Sequence, residues 1–340
     1  MRKTVLGLTL ALFTGVSAFT IRQNGTPEVP PHFPAPVYDL SVHPVTEAGF
    51  ELGKTLFYDP LLSSDGSISC GSCHQQWAGF TNEDHTGSHG VDNQLGLRNA
   101  LPLFNLIFYE HFFWDGGVHN LDLTPMNAIE NPIELNESLD NILVKLNASD
   151  FYKEKFRQVY RAEQITSKEF LQSMTQFLAS LISAGSRYDS YIRKEGEVLT
   201  ADELAGMALV QQKCTPCHST ALFTDRSFRN SGVENNFRFD KGREEITLNA
   251  ADRGRFRVPT LRNLDYTAPY MHDGSINTLE EVLEHYNSGM EDQETLDPVF
   301  RQRNGPPGLT LSEPEKKQIL AFLKTLNDPD FIKNRRFSEQ

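Results

Sequence analysis

Apolar residues along this chain recur at helical spacing in several clear stretches. Phe170, Met174, Phe177, Leu178 and Leu181 fall on one side of a helix opened by Thr166-x-x-Glu169, a capping box, and the pattern ends near Gly185. The spacing predicts further helices over 46–58 and 200–212, the latter with Thr200 and Glu203 as its box. A last one begins at Ser312, with Pro314 in its first turn, Glu315 completing a box, and Ile319, Phe322, Leu323 and Leu326 on its packing face. Strand-like alternation is scarce, so the expected fold class is all-α. One apolar run stands apart: Val5 to Val16 follows Arg2 and Lys3 and ends in Val16-Ser17-Ala18. It is short for a membrane anchor and reads as a cleaved secretory signal over residues 1–18. Pro27, Pro30, Pro31, Pro34 and Pro36 then mark residues 19–40 as an extended linker. No later run is long enough to span a bilayer.

The predicted pattern repeats. Each half carries a helix, a cysteine motif, a Leu/Pro/Asn stretch and an aromatic-Asp-Gly corner. In the first half these are Arg98 to Asn105 and Phe113-Trp114-Asp115-Gly116; in the second, Arg257 to Asn263 and Met271-His272-Asp273-Gly274. Leu121 and Leu279 each lie seven residues past Trp114 and His272. Agreement of type, order and spacing over this span marks a duplicated unit. The polar stretch 230–252 is expected as a surface excursion.

All four cysteines fall in two copies of one pentapeptide, Cys70-Gly71-Ser72-Cys73-His74 and Cys214-Thr215-Pro216-Cys217-His218. C-x-x-C-H is the covalent attachment signature of haem c, with the histidine placed to bind iron. A zinc site would need the thiolates at 70, 73, 214 and 217 to converge, with no need for a histidine after each pair. A thioredoxin-type dithiol needs one pair in a βαβ setting, which neither motif has. Two covalently bound haem c groups are therefore expected, with His74 and His218 as iron ligands. Two cytochrome c-like domains follow, over 41–185 and 186–340. Covalent haem attachment occurs outside the cytoplasm, which agrees with export. A formal net charge of −13 argues against a nucleic-acid partner and leaves a protein redox partner open, since docking uses a local patch.

These motifs, with Asn131-Pro132-Ile133-Glu134 and Pro269-Tyr270-Met271-His272-Asp273-Gly274, resemble the bacterial di-haem cytochrome c peroxidase family, which includes the MauG-type enzymes. The resemblance runs from about Val45 to Leu326. It implies a periplasmic enzyme that reduces hydrogen peroxide to water at the N-terminal haem. Electrons would enter at the C-terminal haem from a small donor protein, a cytochrome c or a cupredoxin, and the family suggests a homodimer. The family's acid lies twenty residues after the corner tryptophan, which is Glu134 here. Glu130 and Glu137 are its bland neighbours. Trp114 takes the family's place of an electron relay between the haems, and Trp77 is expected to pack around the first.

Fourteen residues past His272 the family's cytochrome-dependent peroxidases place methionine as the second haem's sixth ligand; this chain has Tyr286, as MauG-type members do. Met290 and Met271 are the alternatives should the register slip, and a tyrosine on a helix face also serves for packing. His272 is expected near a haem edge, not on iron. His85 and His89 are candidates for a distal ligand that blocks the first haem at rest. The family's Ca²⁺ site maps onto Asn99, Thr267 and Pro269. Thr124, Ala128 and Leu135 stand where the family often has glutamine, proline and methionine, so the distal pocket departs from its usual form. Two further readings remain beside the peroxidase: a MauG-type enzyme oxidising side chains of a partner protein through a bis-Fe(IV) state, and a non-catalytic di-haem electron carrier.

Overall fold

The computed structural model describes residues 25–83, 86–233 and 239–339; the signal expected at 1–18 and the candidate His85 lie outside the described residues. The first half holds α1 (Glu47–Tyr58), α2 (Cys70–Cys73), α3 (Thr124–Glu130), α4 (Leu139–Ala148), α5 (Asp150–Tyr160) and α6 (Ser167–Ser180). The second holds α7 (Arg187–Ile192), α8 (Ala201–Lys213), α9 (Glu244–Thr247), α10 (Leu279–Glu284), α11 (Glu313–Lys324) and α12 (Pro329–Ile332). Sheet among the described residues is one antiparallel pair, β1 (Phe228–Arg229) with β2 (Phe256–Arg257), Phe228 opposite Arg257. No helix among the described residues is long and apolar enough to cross a membrane.

The four expected helices are present, N-capped by Thr46, Thr166, Thr200 and Ser312. Helix α6 stops at Ser180, short of Gly185, because tertiary bonds take over the backbone there. The Asn105 amide donates to the Leu181 carbonyl at 2.7 Å, and Ser183 N–H donates to Asn105 Oδ1 at 3.0 Å.

Each half is built round one close helix crossing. Helix α1 packs on α6 and α8 on α11. Both crossings need a glycine. A β-carbon at Gly53 would stand 2.0 Å from the Ser173 carbonyl oxygen, and one at Gly206 would stand 1.9 Å from that of Gln318. Around the first crossing Phe50, Leu56, Phe57 and Phe177 are fully buried, Phe57 and Phe177 at 4.9 Å between ring centres. Around the second, Val210, Ile319, Phe322 and Leu323 form a smaller cluster. Each such side chain contributes about 1.5–3 kcal/mol by leaving water.

The repeat is geometric as well as sequential, at a constant offset that carries Asn105 to Asn263. Both asparagines have left-handed backbone (φ 61° and 62°) and begin equivalent 3₁₀ turns, Leu106–Phe108 and Leu264–Tyr266. The corner residues Phe113 and Met271 share positive φ, as do Gly116 and Gly274, and the Phe112–Val118 bridge matches Tyr270–Ile276. In this register Asn99 corresponds to Arg257 and Trp114 to His272. The halves meet through reciprocal bonds: Asn99 N–H to the His272 carbonyl at 2.8 Å, and Arg257 N–H to the Trp114 carbonyl at 2.7 Å. They are therefore related by a pseudo-twofold axis through this contact.

Three segments bind the halves further. The Pro-rich segment, expected as a linker, is extended but held down: Phe33 is buried, and His32 Nε2 lies 2.7 Å from Asp189 Oδ1. Asp189 makes a two-pronged ion pair with Arg262, both bonds 2.8 Å and both residues fully buried. At the C-terminus Phe331, Ile332 and Phe337 join the core of the first half.

Candidate active site

Two cavities flank the pseudo-twofold axis, and each contains one C-x-x-C-H motif. The first is lined by Cys70, Cys73 and His74, the second by Cys214, Cys217 and His218. None of the four cysteines is joined in a disulfide. Burial pushes the Cys70 thiol up to about 12 and those of Cys214 and Cys217 to about 11, so they stay neutral against apolar walls.

The two histidines are oriented alike. His74 Nδ1 lies 2.8 Å from the Phe80 carbonyl oxygen, and His218 Nδ1 lies 3.1 Å from that of Phe223. A carbonyl only accepts, so Nδ1 carries the proton and Nε2 is left as a lone-pair donor for a metal. Both phenylalanines have positive φ (61° and 52°), which turns the carbonyl to the ring. Burial depresses both imidazole pKa values, which keeps them neutral as a ligand requires. A covalently tethered haem thus fits each cavity: thiols on one wall, a pre-set imidazole, and apolar sides.

The cavities differ in their remaining polar groups. Glu134 lines the first, its Oε1 accepting a 2.7 Å hydrogen bond from Asn131 Nδ2, and burial raises its carboxyl pKa. Glu137, by contrast, is tied to Lys145 and does not line the cavity. Among the described residues no carboxylate lines the second cavity, but Tyr286 does. Tyr286 sits in a π-helical turn, His285–Gly289, that widens the end of α10. Burial pushes its phenol well above the ordinary tyrosine value, so its anion needs a cation beside it. Of the alternatives, Met271 also lines this cavity, whereas Met290 packs with Leu296 and Phe300.

Trp114 is 8% exposed and lines both cavities, its indole N–H donating to the Asn99 carbonyl at 2.8 Å. His272 lines the second and stacks on Phe256 at 3.7 Å between centres. Trp77 differs from expectation: at 60% exposed it stands on the surface. Its 3₁₀ turn, Gln76–Ala78, directs Ala78 and the following Phe80 inward instead. His89 is not among the residues lining the first cavity.

Asn99 Oδ1 is buried with no hydrogen-bond partner, while its Nδ2 lies 2.6 Å from the Pro269 carbonyl oxygen and 3.4 Å from that of Met271. Turning the amide over would place three oxygens around one point, which a hard cation satisfies. Thr267 is buried nearby in the same wall.

Sequence reasoning missed two parts of the site. Phe239, Asp240, Glu245 and Ile246 of the second half, expected on a surface excursion, line the first cavity. They are drawn there by Arg98, whose guanidinium binds Asp240 twice (2.7 and 2.8 Å) and Asp115 once (2.5 Å). Arg257, the other omission, lines both cavities. Thr124, Ala128 and Leu135, the departures from the family pattern, all face the first cavity.

A sequence profile described as di-haem cytochrome c peroxidase matches residues 47–197. The chain is 33% identical to the methylamine utilization protein MauG of Methylorubrum extorquens, over 86% of this chain and 82% of that protein. It is 35% identical to cytochrome c551 peroxidase of Nitrosomonas europaea, over 83% and 81%. A solved MauG-like protein associated with microbial copper homeostasis superposes with a TM-score of 0.83 at 30% identity, covering 92% of this chain and 98% of that one. The duplicated helical fold, the paired C-x-x-C-H cavities and these similarities agree, and the chain belongs to the di-haem cytochrome c peroxidase family.

Proposed function

We propose that the protein is an exported di-haem peroxidase: H₂O₂ with two electrons and two protons gives two waters at the cavity of His74. The observation that carries this reading is Glu134, a carboxylate with a raised pKa in the first cavity and with no counterpart in the second. Haem, when bound, supplies the iron at which the O–O bond breaks and the means of storing oxidising equivalents.

The chain's own groups do the rest. His74 and His218 each present Nε2 to a metal. Glu134, as carboxylate, accepts a proton from the near oxygen of peroxide and returns it to the far oxygen as that leaves. Asn131 holds Oε1 and so aims the carboxyl group. Trp114, in contact with both cavities and fixed by its bond to Asn99, is the aromatic bridge between them. Tyr286, in the cavity of His218, would be a further residue to hold the iron of the second haem, whose 186–340 domain would serve as the electron port. Asn99, Thr267 and Pro269 would hold Ca²⁺ between the domains.

A second reading is favoured by Tyr286. An anionic oxygen ligand lowers a haem's potential and suits it less to accept electrons from a cytochrome. The enzyme would then oxidise side chains of a partner protein. Stopped-flow mixing with peroxide, with and without reduced cytochrome c, separates the two. Rapid cytochrome oxidation at the rate of peroxide consumption supports the peroxidase. A peroxide-oxidised spectrum that persists in the presence of cytochrome supports the second. No spectral response to peroxide defeats both and leaves an electron carrier.

A further inference from the structure

Three lysine or arginine side chains among the described residues are less than a tenth exposed: Lys54, Arg257 and Arg262. Lys54 has Glu51 at 3.0 Å and Arg262 has Asp189 at 2.8 Å. Arg257, 5% exposed, has no carboxylate within ion-pair distance among the described residues. Its Nε donates to the Phe113 carbonyl at 3.2 Å, and its guanidinium lies over the Tyr109 ring at 4.6 Å. The titratable group it meets directly is the Tyr109 phenol, which its side chain hydrogen-bonds; Arg226, Arg262, Arg243, His111, His119 and Glu110 lie around that pair, and Asp115, Glu134, Asp240 and Glu245 share the wall of the first cavity, but no carboxylate among the described residues comes within ion-pair distance of the guanidinium. Burial lowers its pKa, yet arginine does not lose its proton in a protein. A buried guanidinium met only by a carbonyl and a phenol keeps donors and a full charge without an anion, which is unfavourable, so an anion in the folded, loaded protein would be strongly held there.

Two observations say which anion. Arg257 lies in the wall common to both cavities, beside the backbone of Trp114. It is also the pseudo-twofold mate of Asn99. The Asn99 side chain reaches the Met271 carbonyl, and the Arg257 side chain reaches that of Phe113, the residue equivalent to Met271. Where one side of the axis offers oxygens to an inorganic cation, the other already holds an organic one. The first cavity's own carboxylates are already engaged, Asp115, Asp240 and Glu245 by Arg98 and Glu134 by Asn131, so the further anions that loaded cavities would bring are the carboxylates of haem side chains. A guanidinium fork fits a carboxylate with two parallel hydrogen bonds.

We propose that Arg257 binds a propionate carboxylate of one of the two haems and so, as a positioning residue, sets that haem's reduction potential relative to its neighbour. This rests on the di-haem reading above. The assignment predicts that a guanidinium beside the carboxylate keeps it ionised, and that its positive charge favours the reduced haem.

The test uses the purified exported protein, with haem content fixed by the pyridine haemochrome assay and each haem's midpoint followed from pH 5 to 8. Wild-type potentials should be flat over this range. Arg257→Gln should lower the midpoint of one haem and make it fall as pH rises, because the released carboxylate now titrates. Arg257→Lys should restore most of the midpoint. A His111→Gln background removes the neighbouring imidazole, and the effect should persist in it. Two-haem Arg257→Gln protein whose midpoints and pH profiles superimpose on wild type overturns the assignment. Should Arg257→Gln fail to fold, wild-type midpoints that slope with pH overturn it alone. Fewer than two haems in wild type is a separate failure, which removes the di-haem reading and this inference with it.

Discussion

The cavity around His74 has Glu134 and a ring of groups contributed by the other half; the cavity around His218 has no carboxylate among the described residues and has Tyr286. The cavity volumes follow the same division, about 530 Å³ in the first and about 200 Å³ in the second. Their lower parts, by contrast, match bond for bond: a histidine locked to a phenylalanine carbonyl, a glycine-mediated helix crossing, a left-handed asparagine before a 3₁₀ turn. On the reading proposed above, duplication has kept what would hold a cofactor and changed what would meet a substrate or partner. A tethered cofactor makes the same geometric demands at both sites, whereas proton delivery is needed only where the O–O bond breaks.

The largest expected effect breaks this asymmetry. Glu134→Gln should slow the reaction with peroxide about 10²–10⁴-fold while retaining both haems, whereas Tyr286→Phe should leave that step in place and alter electron entry from the cytochrome instead. Stopped-flow mixing with peroxide alone reads the first step and oxidation of reduced cytochrome c the second, and equal losses in the peroxide step would mean that the cavities are not specialised as argued.

Next comes a position where the repeat diverges inside the core. Arg262 corresponds to Phe104, and both are buried. Arg262→Met should cost about 3–5 kcal/mol in denaturant unfolding, because the buried Asp189 loses its two-pronged guanidinium partner and keeps only its contacts with His32 and Ser186. Arg262 and Asp189 exchanged together for apolar residues should recover most of the loss. The crossings should respond alike: Gly53→Ala and Gly206→Ala each should destabilise by about 1–3 kcal/mol, since a backbone carbonyl must move.

The pH profile sharpens the contrast further. Folding raises the Glu134 pKa, so the protonated form is favoured in the folded protein. Its contribution to stability is complete below the ordinary carboxylate pKa and is lost as pH rises through the raised value. Peroxide deprotonation needs the carboxylate, so kcat/KM should climb with pH through that same raised pKa. The inflection should vanish in Glu134→Gln. The smallest effect belongs to the surface tryptophan: Trp77→Ala should change stability by no more than about 0.5 kcal/mol, measured against Trp114→Ala as the buried counterpart.

The haem motifs, the four helices and the repeat were legible because each rests on residues close in sequence. C-x-x-C-H needs one turn of chain, and a capping box needs four residues. Glu134 and Trp114 were placed through family register, and both line the first cavity. The linker over 19–40 and the excursion over 230–252 were read from composition, which reports solvation on average but not the single anchors Phe33, His32 and Asp240. Trp77 failed for the reverse reason: nearness to His74 in sequence does not fix which side of a three-residue turn faces inward.

By itself the sequence determined that there are two haem c motifs, which histidines follow them, and that the chain is a helical duplication. Those features depend on covalent spacing and on helix periodicity. Only the tertiary structure decided that Arg257 and Trp114 share the wall between the cavities, that Arg98 draws the second half over the first cavity, and that Asn99 and Arg257 are mates across one axis. Each of these joins residues more than a hundred positions apart or weighs a charge against its surroundings, and an amino-acid string carries neither distances across the fold nor the absence of a counter-ion.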